Sequence, residues 1–461
     1  MAAPLRRVGQ VIGGVLVVAV LGLAAALLLD RAPALPEMVS STPSSTPSST
    51  ASSAASSTAF STAASATPAS AELLAQGRTL ALAGNCVACH TARGGVAYAG
   101  GRALHTPFGT VYAGNLTPDA DTGLGRWTAA HFWRALHHGR GFDGRRLVPA
   151  FPYTQTTRIP RADSDALFAW LQTLPAVKLP NRPHELRWPY GTQAALAAWR
   201  LLFFQAGEWQ PDPTRTAPWN RGAYLVNGPG HCVACHGGRN ALGATADAGF
   251  GGGLIPTRNW YAPAFTRAAE ASVADWPLQD IVALLQTGSA PRGHAIGPMA
   301  EVVSRSLQHL PLADLQAMAV YLKSLPVQAP HAVAAEPADP ARLALGAVLY
   351  KDHCAGCHGS AGEGGVLQAA DGSTRPAVPA LAGNRHVTMN PPANLVRSIA
   401  LGGFGAVTAG QPRPFGMPPF AHVLNDDQIA AVATYLRQSW GAQAAPLSAF
   451  DVARWRGGSD E

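Results

Sequence analysis

Cys86-Val87-Ala88-Cys89-His90 returns as Cys232-Val233-Ala234-Cys235-His236 and as Cys354-Ala355-Gly356-Cys357-His358. Each is C-x-x-C-H. Two thiols one helical turn apart can each add to a haem vinyl group, and the adjacent His then supplies the proximal nitrogen to the iron. The chain has six Cys, and these motifs use all of them. None is left for a disulfide. A structural zinc site would need paired half-sites about 12–20 residues apart. The motifs begin instead at residues 86, 232 and 354, at domain-sized intervals. They predict three covalently attached haem c groups, with His90, His236 and His358 as iron ligands.

The flanks of the motifs repeat as well. A short helical segment precedes each one, at residues 72–83, 220–226 and 341–350. A Gly/Pro-rich region follows, and an apolar-periodic helix closes each unit, at 164–174, 312–325 and 426–440. Leu315, Met318, Tyr321 and Leu322 show the helical spacing. Ser164 and Asp426 are expected N-caps. A first helix, a haem turn, a loop and a last helix crossing the first describe a class I cytochrome c. The expected fold is therefore mainly α, with three tandem domains at 72–177, 219–327 and 337–445. A bridging segment at 178–218, with a helix near 194–204, separates the first two. Residues 328–336 are a linker and 446–461 a tail.

Before the first unit, Arg6 and Arg7 precede an uncharged run from residue 8 to 29, long enough for one membrane span. The two Arg place the N-terminus in the cytoplasm and the rest of the chain in the periplasm. Residues 1–35 are thus an anchor, with a cleaved signal as the rival reading. Residues 36–71 are rich in Ser, Thr, Ala and Pro and cannot bury enough surface to fold. They read as a tether with an average reach of about 30 Å.

Composition agrees with this plan. A length of 461 residues suits about three domains. The apolar fraction is 47% and there are 11 Trp, ample for several cores. The net charge of +7 would fall to about +1 with six haem propionates ionised, so nucleic acid is not needed to explain it. No basic run exceeds a pair of residues, and nucleic-acid binding is excluded. Gly249-Phe250-Gly251-Gly252-Gly253 lacks the strand–helix context of a dinucleotide fingerprint.

A low-spin electron-transfer haem takes Met or a second His opposite the proximal His. Met299 and Met417 lie in Pro/Gly loops after the second and third motifs and are the expected distal ligands. Met389 is the weaker competitor for the third, and Met318 belongs to a helix core. No Met lies between Met38 and Met299. The corresponding loop of the first unit reads Leu147-Val148-Pro149-Ala150-Phe151-Pro152-Tyr153, with His105, His137 and His138 as candidates nearby.

Several stretches also match a known family. They include Thr106-Pro107-Phe108-Gly109-Thr110-Val111-Tyr112, Asn115-Leu116-Thr117-Pro118-Asp119 and Gly123-Leu124-Gly125-Arg126-Trp127. Trp219-Asn220-Arg221-Gly222-Ala223-Tyr224-Leu225, Pro298-Met299-Ala300-Glu301 and Met417-Pro418-Pro419-Phe420 extend the set. From residue 72 to about 440 the chain resembles the three-haem cytochrome c subunit of bacterial membrane-bound dehydrogenases of the alcohol, gluconate and sorbitol types. The resemblance implies Met299 and Met417 as distal ligands. It implies a Met where this chain has Phe151, so the first distal ligand cannot be carried over. The implied role is electron transfer from a catalytic dehydrogenase subunit of PQQ, flavin or molybdenum type. The acceptor is membrane quinone, a soluble cytochrome or a terminal oxidase. A free tethered carrier, and a peroxidase-like enzyme using an open first haem, are the alternatives.

Overall fold

The computed structural model describes Asp30 and residues 69–246, 249–255, 258–328, 336–368, 374–412, 414 and 416–457. Among these are twelve helices of eight residues or more: α1 (Ala71–Ala83), α2 (Ala129–His138), α3 (Arg161–Leu171), α4 (Gln193–Phe203), α5 (Ala217–Asn227), α6 (Leu278–Thr287), α7 (Gly297–Arg305), α8 (Leu312–Lys323), α9 (Pro340–His353), α10 (Ala393–Leu401), α11 (Asp426–Gln438) and α12 (Ala449–Arg456). Strands are short. Ala103–Thr106 and Gly109–Tyr112 form a hairpin, to which Glu185–Leu186 of the bridging segment adds a third strand.

The main packing is three crossed helix pairs: α1 on α3, α5 on α8, and α9 on α11. Each crossing has the same construction. A Cβ placed on Gly77 would stand 2.0 Å from the carbonyl oxygen of Ala166. On Gly222 it would stand 1.9 Å from that of Ala317, and on Gly346 2.3 Å from that of Ala431. Only glycine lets the two backbones approach this closely. Four residues after each of those alanines stands a large ring: Trp170, Tyr321 or Tyr435. Each ring meets an aromatic partner, Tyr98, Trp219 or Tyr350, at 5.2–5.5 Å between centroids.

One apolar core runs through the first two pairs. It joins Leu80, Leu136 and Leu167 to Leu225, Leu285, Val303 and Leu315. A second core, with Leu349, Leu395, Ile399, Ile429 and Leu436, fills the third. Arg437 is buried there, and its guanidinium donates to the carbonyls of Val387, Met389 and Ala445 at 2.8–3.0 Å. Burial pushes it down to about 10.

Several local expectations change. The Gly/Pro-rich regions contain a helix in every unit, namely α2, α6 and α10, each with buried leucines. Ser164 lies inside α3 rather than at its start, because the chain already turns helical after Pro160. Asn425, not Asp426, caps α11 through a capping box with Gln428. Residues 446–461, read as a tail, contain α12, which has its own capping box and packs on α10 and α11. The bridging helix appears as expected, one residue earlier, as α4. The apolar run 8–29 and the stretch 36–68 lie outside the described residues. Among those described, no helix is long and apolar enough to cross a membrane.

Candidate haem sites

Each C-x-x-C-H motif forms one short helical turn directly after α1, α5 or α9. In all three turns the first Cys is half-buried, the second exposed and the His half-buried. Before the first two turns the chain reverses at a non-glycine residue of positive φ, Asn85 (45°) and His231 (36°). Asn and His are among the residues that tolerate this region best.

The His rings are held identically. His90 Nδ1 is 2.7 Å from the carbonyl of Gly114, His236 Nδ1 2.8 Å from that of Pro263, and His358 Nδ1 2.9 Å from that of Pro379. A carbonyl can only accept, so Nδ1 carries the proton and Nε2 keeps its lone pair for a metal. Burial favours the neutral ring: it lowers His90 and His358 and pushes His236 down to about 4. These carbonyls escaped the sequence analysis, although a signal was present. Ala113-Gly114-Asn115-Leu116, Ala262-Pro263-Ala264-Phe265 and Val378-Pro379-Ala380-Leu381 share a Gly or Pro two residues before a large apolar side chain. The six thiols are all free, and desolvation pushes Cys86 and Cys232 up to about 12 and Cys354 to about 11.

The donor set of two thiols and one pre-oriented neutral imidazole fits a covalently bound haem. Orphaned polar atoms in the same unit as the second turn also fit one. Trp276 Nε1 and His294 Nε2 are buried with no partner among the described residues, and an acid side chain of a cofactor would satisfy such donors. A haem held there supplies a one-electron change at iron.

The distal segments share a plan as well. Helices α2, α6 and α10 each end at a glycine of positive φ: Gly139 (56°), Gly288 (74°) and Gly402 (64°). A hairpin-like pairing follows in each unit: Arg140 with Arg146, Ser289–Ala290 with Gly293–His294, and Gly403–Phe404 with Gly416–Met417. Phe151 and Met299 come next, and Met417 closes the third pairing; all are half-buried against the adjoining core. Met299 lies in the first turn of α7, not in a loop, and Met417 ends its strand. Met389 is buried with Tyr261 and Ala393 in a separate small cluster, and Met318 is buried in the first core.

The first unit's histidines are engaged elsewhere. Phe132 and Leu136 on α2 enter the core, while His137 stacks on Trp133 at 4.5 Å and lies 3.5 Å from Thr157 Oγ1. His138 packs edge-on against Trp133 and His137. His105 is exposed on the first strand, beside Thr110 Oγ1.

The second unit is bonded to both others. His231, which precedes Cys232, places Nε2 3.1 Å from the carbonyl of Gly84, which lies two residues before Cys86. Ser306 Oγ donates to Leu82 O at 2.6 Å, and Arg102 pairs with Glu301 at 3.2 Å while donating to Ala88 O. On the other side Val407 N donates to Ser304 Oγ at 3.0 Å, Tyr261 and Asn394 exchange two hydrogen bonds, and Arg385 pairs with Asp275 at 3.2 Å.

Comparison with known proteins agrees with this geometry. The sequence model of the cytochrome c family matches residues 74–175 and 343–440, the ranges that hold the first and third turns. The chain is 42% identical to one of the subunits of the nicotinate dehydrogenase of Pseudomonas putida over 81% of its own length, but it spans only 31% of that protein. It is 36% identical to the cytochrome c subunit of the quinone alcohol dehydrogenase of Gluconacetobacter polyoxogenes, covering 84% of this chain and 85% of that one. With the fructose dehydrogenase cytochrome subunit of Gluconobacter japonicus it shares 34% identity over 86% and 85%. Similarity of this extent, together with the haem-type turns and their histidine–carbonyl bonds, shows that the chain belongs to the family of cytochrome c subunits of dehydrogenases.

Proposed function

We propose that the chain is a three-haem electron-transfer subunit. It takes electrons from a catalytic dehydrogenase subunit of PQQ, flavin or molybdenum type and passes them to membrane quinone or the respiratory chain. It works on the periplasmic side of the membrane, anchored by residues 1–35. Haem c is attached at Cys86/Cys89, Cys232/Cys235 and Cys354/Cys357, with His90, His236 and His358 as proximal ligands and Met299 and Met417 as distal ligands of the second and third. The domains run 72–177, 219–327 and 337–445.

The observation that carries this reading is the threefold recurrence of one donor arrangement, an imidazole pinned through Nδ1 beside two free thiols, on three units of which the second is bonded to both others. The word quinone in one relative's name supports the acceptor. Relatives named as subunits support a catalytic partner. The peroxidase-like alternative wants a base or Arg over the first iron; His137, His138 and Arg140 have other partners.

The test is to express the chain together with the genes that flank its own, purify it through a tag, and add the substrate of any dehydrogenase they encode. Co-purification of a large subunit and substrate-dependent reduction of the haems are expected. A chain that purifies alone and is not reduced counts for the free carrier. Intact mass gives the haem number, and fewer than three in matured protein overturns the count.

A further inference from the structure

Asp30 directly follows the uncharged run 8–29, and its carboxylate is held by three guanidinium groups. Arg146 Nε donates to Oδ2 at 2.6 Å, and Arg200 Nε lies 3.0 Å from both carboxylate oxygens. Arg140 stands 3.1 Å from Oδ2, and it also donates to the backbone carbonyl of Asp30. The arginine side chains are 6%, 11% and 4% exposed for Arg140, Arg146 and Arg200, and the carboxylate 13%.

The receptor is built from the first unit and the bridging segment. Arg140 and Arg146 pair across the turn after α2. The backbone N–H of Arg146 donates to Gln193 Oε1, at the start of α4, at 2.8 Å. Arg200, on α4, lies over the rings of Tyr153 and Phe204. Three cations buried this closely repel one another unless an anion joins them, and an unpaired buried charge is strongly unfavourable. Residues 1–71 offer just two carboxylates, Asp30 and Glu37. Burial pushes the Asp30 carboxyl up, but the bonds and charges of Arg200, Arg146 and Arg140 outweigh it and hold it below its ordinary value.

We propose that Arg140, Arg146 and Arg200 form a docking socket for the chain's own N-terminal segment, closed by the carboxylate of Asp30. Asp30, the first residue after the apolar run, is thereby fixed beside α4, whose Leu201 and Leu202 are exposed next to Arg200. The Ser/Thr/Ala/Pro stretch then joins two points of one body, the socket and the start of α1, and does not space the haem units from the anchor. The proposal rests on the mature chain keeping its N-terminus.

Hydrogen–deuterium exchange on the full-length holoprotein in detergent tests it, after peptide mapping for residues 1–30. With that segment present, Asp30→Asn should speed exchange several-fold in residues 139–147 and 193–204, and Glu37→Gln should not. Arg146→Gln should reproduce the effect, and the double variant should add nothing further. Unchanged exchange in Asp30→Asn, or an equal effect from Glu37→Gln, overturns the socket while leaving the anchor reading intact. A mature chain that begins after Asp30 overturns the anchor reading, and the socket with it.

Discussion

Phe151 and Met299 occupy the same station in two segments that otherwise match. Each follows a helix of ten residues, a glycine of positive φ and a hairpin-like pairing, and each lies half-buried against one shared core. The second offers a thioether sulfur that can bind iron, and the first offers a phenyl ring that cannot. The segment around Phe151 keeps its course although Phe151 offers no ligand atom, because Leu147 N bonds Gly139 O and Tyr153 is fully buried. Packing therefore sets where this segment runs in both units, and one side chain decides whether it offers a sulfur.

The harshest way to break the comparison is to attack the frame that the units share. An alanine at Gly77, Gly222 or Gly346 must push the crossed helices apart, since its Cβ would meet a carbonyl oxygen at 1.9–2.3 Å. In an exposed helix the same change stabilises by about 1 kcal/mol. Here we expect a loss of about 3 kcal/mol or more for each, as overpacking against backbone cannot be relieved by a rotamer change. Urea midpoints and the haem-to-protein ratio report it. A stabilised Gly222→Ala protein would mean that the helices do not cross there.

Exchanging the two distal residues should have the next largest effect, on potential. Met favours ferrous iron and raises the potential relative to His or no ligand. Phe151→Met should raise the first haem by on the order of 100 mV, a fraction of the roughly 0.8 V that axial ligation spans. Met299→Phe should lower the second, and Met417→Ala the third. Redox titration with ferric-state spectra should show two methionine-ligated haems in the wild type and three in Phe151→Met. Three in the wild type would mean that another Met reaches the first iron.

The C-x-x-C-H turns and the crossed helices were legible because each is a local pattern. C-x-x-C-H is a spacing within one turn, and α8 shows its period in Leu315, Met318 and Leu322. What escaped depends on partners far along the chain. Gly77 reads locally as a weak point in a helix, and only Ala166 explains it. The carbonyls that orient His90, His236 and His358 come from 21–27 residues downstream, out of irregular backbone. Helices α2, α6 and α10 were hidden by the glycines around them, although Gly139, Gly288 and Gly402 are the residues that end them. The three arginines around Asp30 are separate in sequence and meet only in the fold.

A smaller difference between the first two units is sensitive to pH. Burial pushes His138 down to about 4, helped by His137, Arg200, Arg140 and Arg134, whereas α6 ends without a histidine. The folded value lies below the ordinary 6.5, so the unfolded chain binds the proton more readily. Its contribution is intact above about pH 6.5 and is lost as pH falls towards 4. The ring keeps partial solvent contact, so the loss is about 1–2 kcal/mol after discounting for screening. Protection of the α2 amides, as the ratio of intrinsic to observed exchange rate, should fall between pH 7 and 5 more than that of α6, and His138→Gln should remove most of the difference.

The smallest effect concerns how α2 and α6 begin. Thr128 Oγ1 accepts from the His131 N–H, and His131 Nδ1 accepts from the Thr128 N–H, each at 3.3 Å, so two backbone donors at the start of α2 are satisfied. Helix α6 starts after Pro277 and has no side-chain cap. Thr128→Ala should therefore cost about 1 kcal/mol, read as faster exchange of the first amides of α2 and a lower urea midpoint. Burial lowers His131, which keeps Nδ1 free to accept over most of the pH range, so the cap should weaken only in acid. Pro277→Ser offers α6 the missing cap but gives up the proline's restriction of the unfolded chain, a term of about 0.4–1 kcal/mol with the opposite sign. The two terms nearly cancel, and Pro277→Ser should be close to neutral. A loss on Thr128→Ala beside no change on Pro277→Ser would show that the first distal segment is held by its helix start and the second by its core. Equal losses would mean that Pro277 itself positions α6.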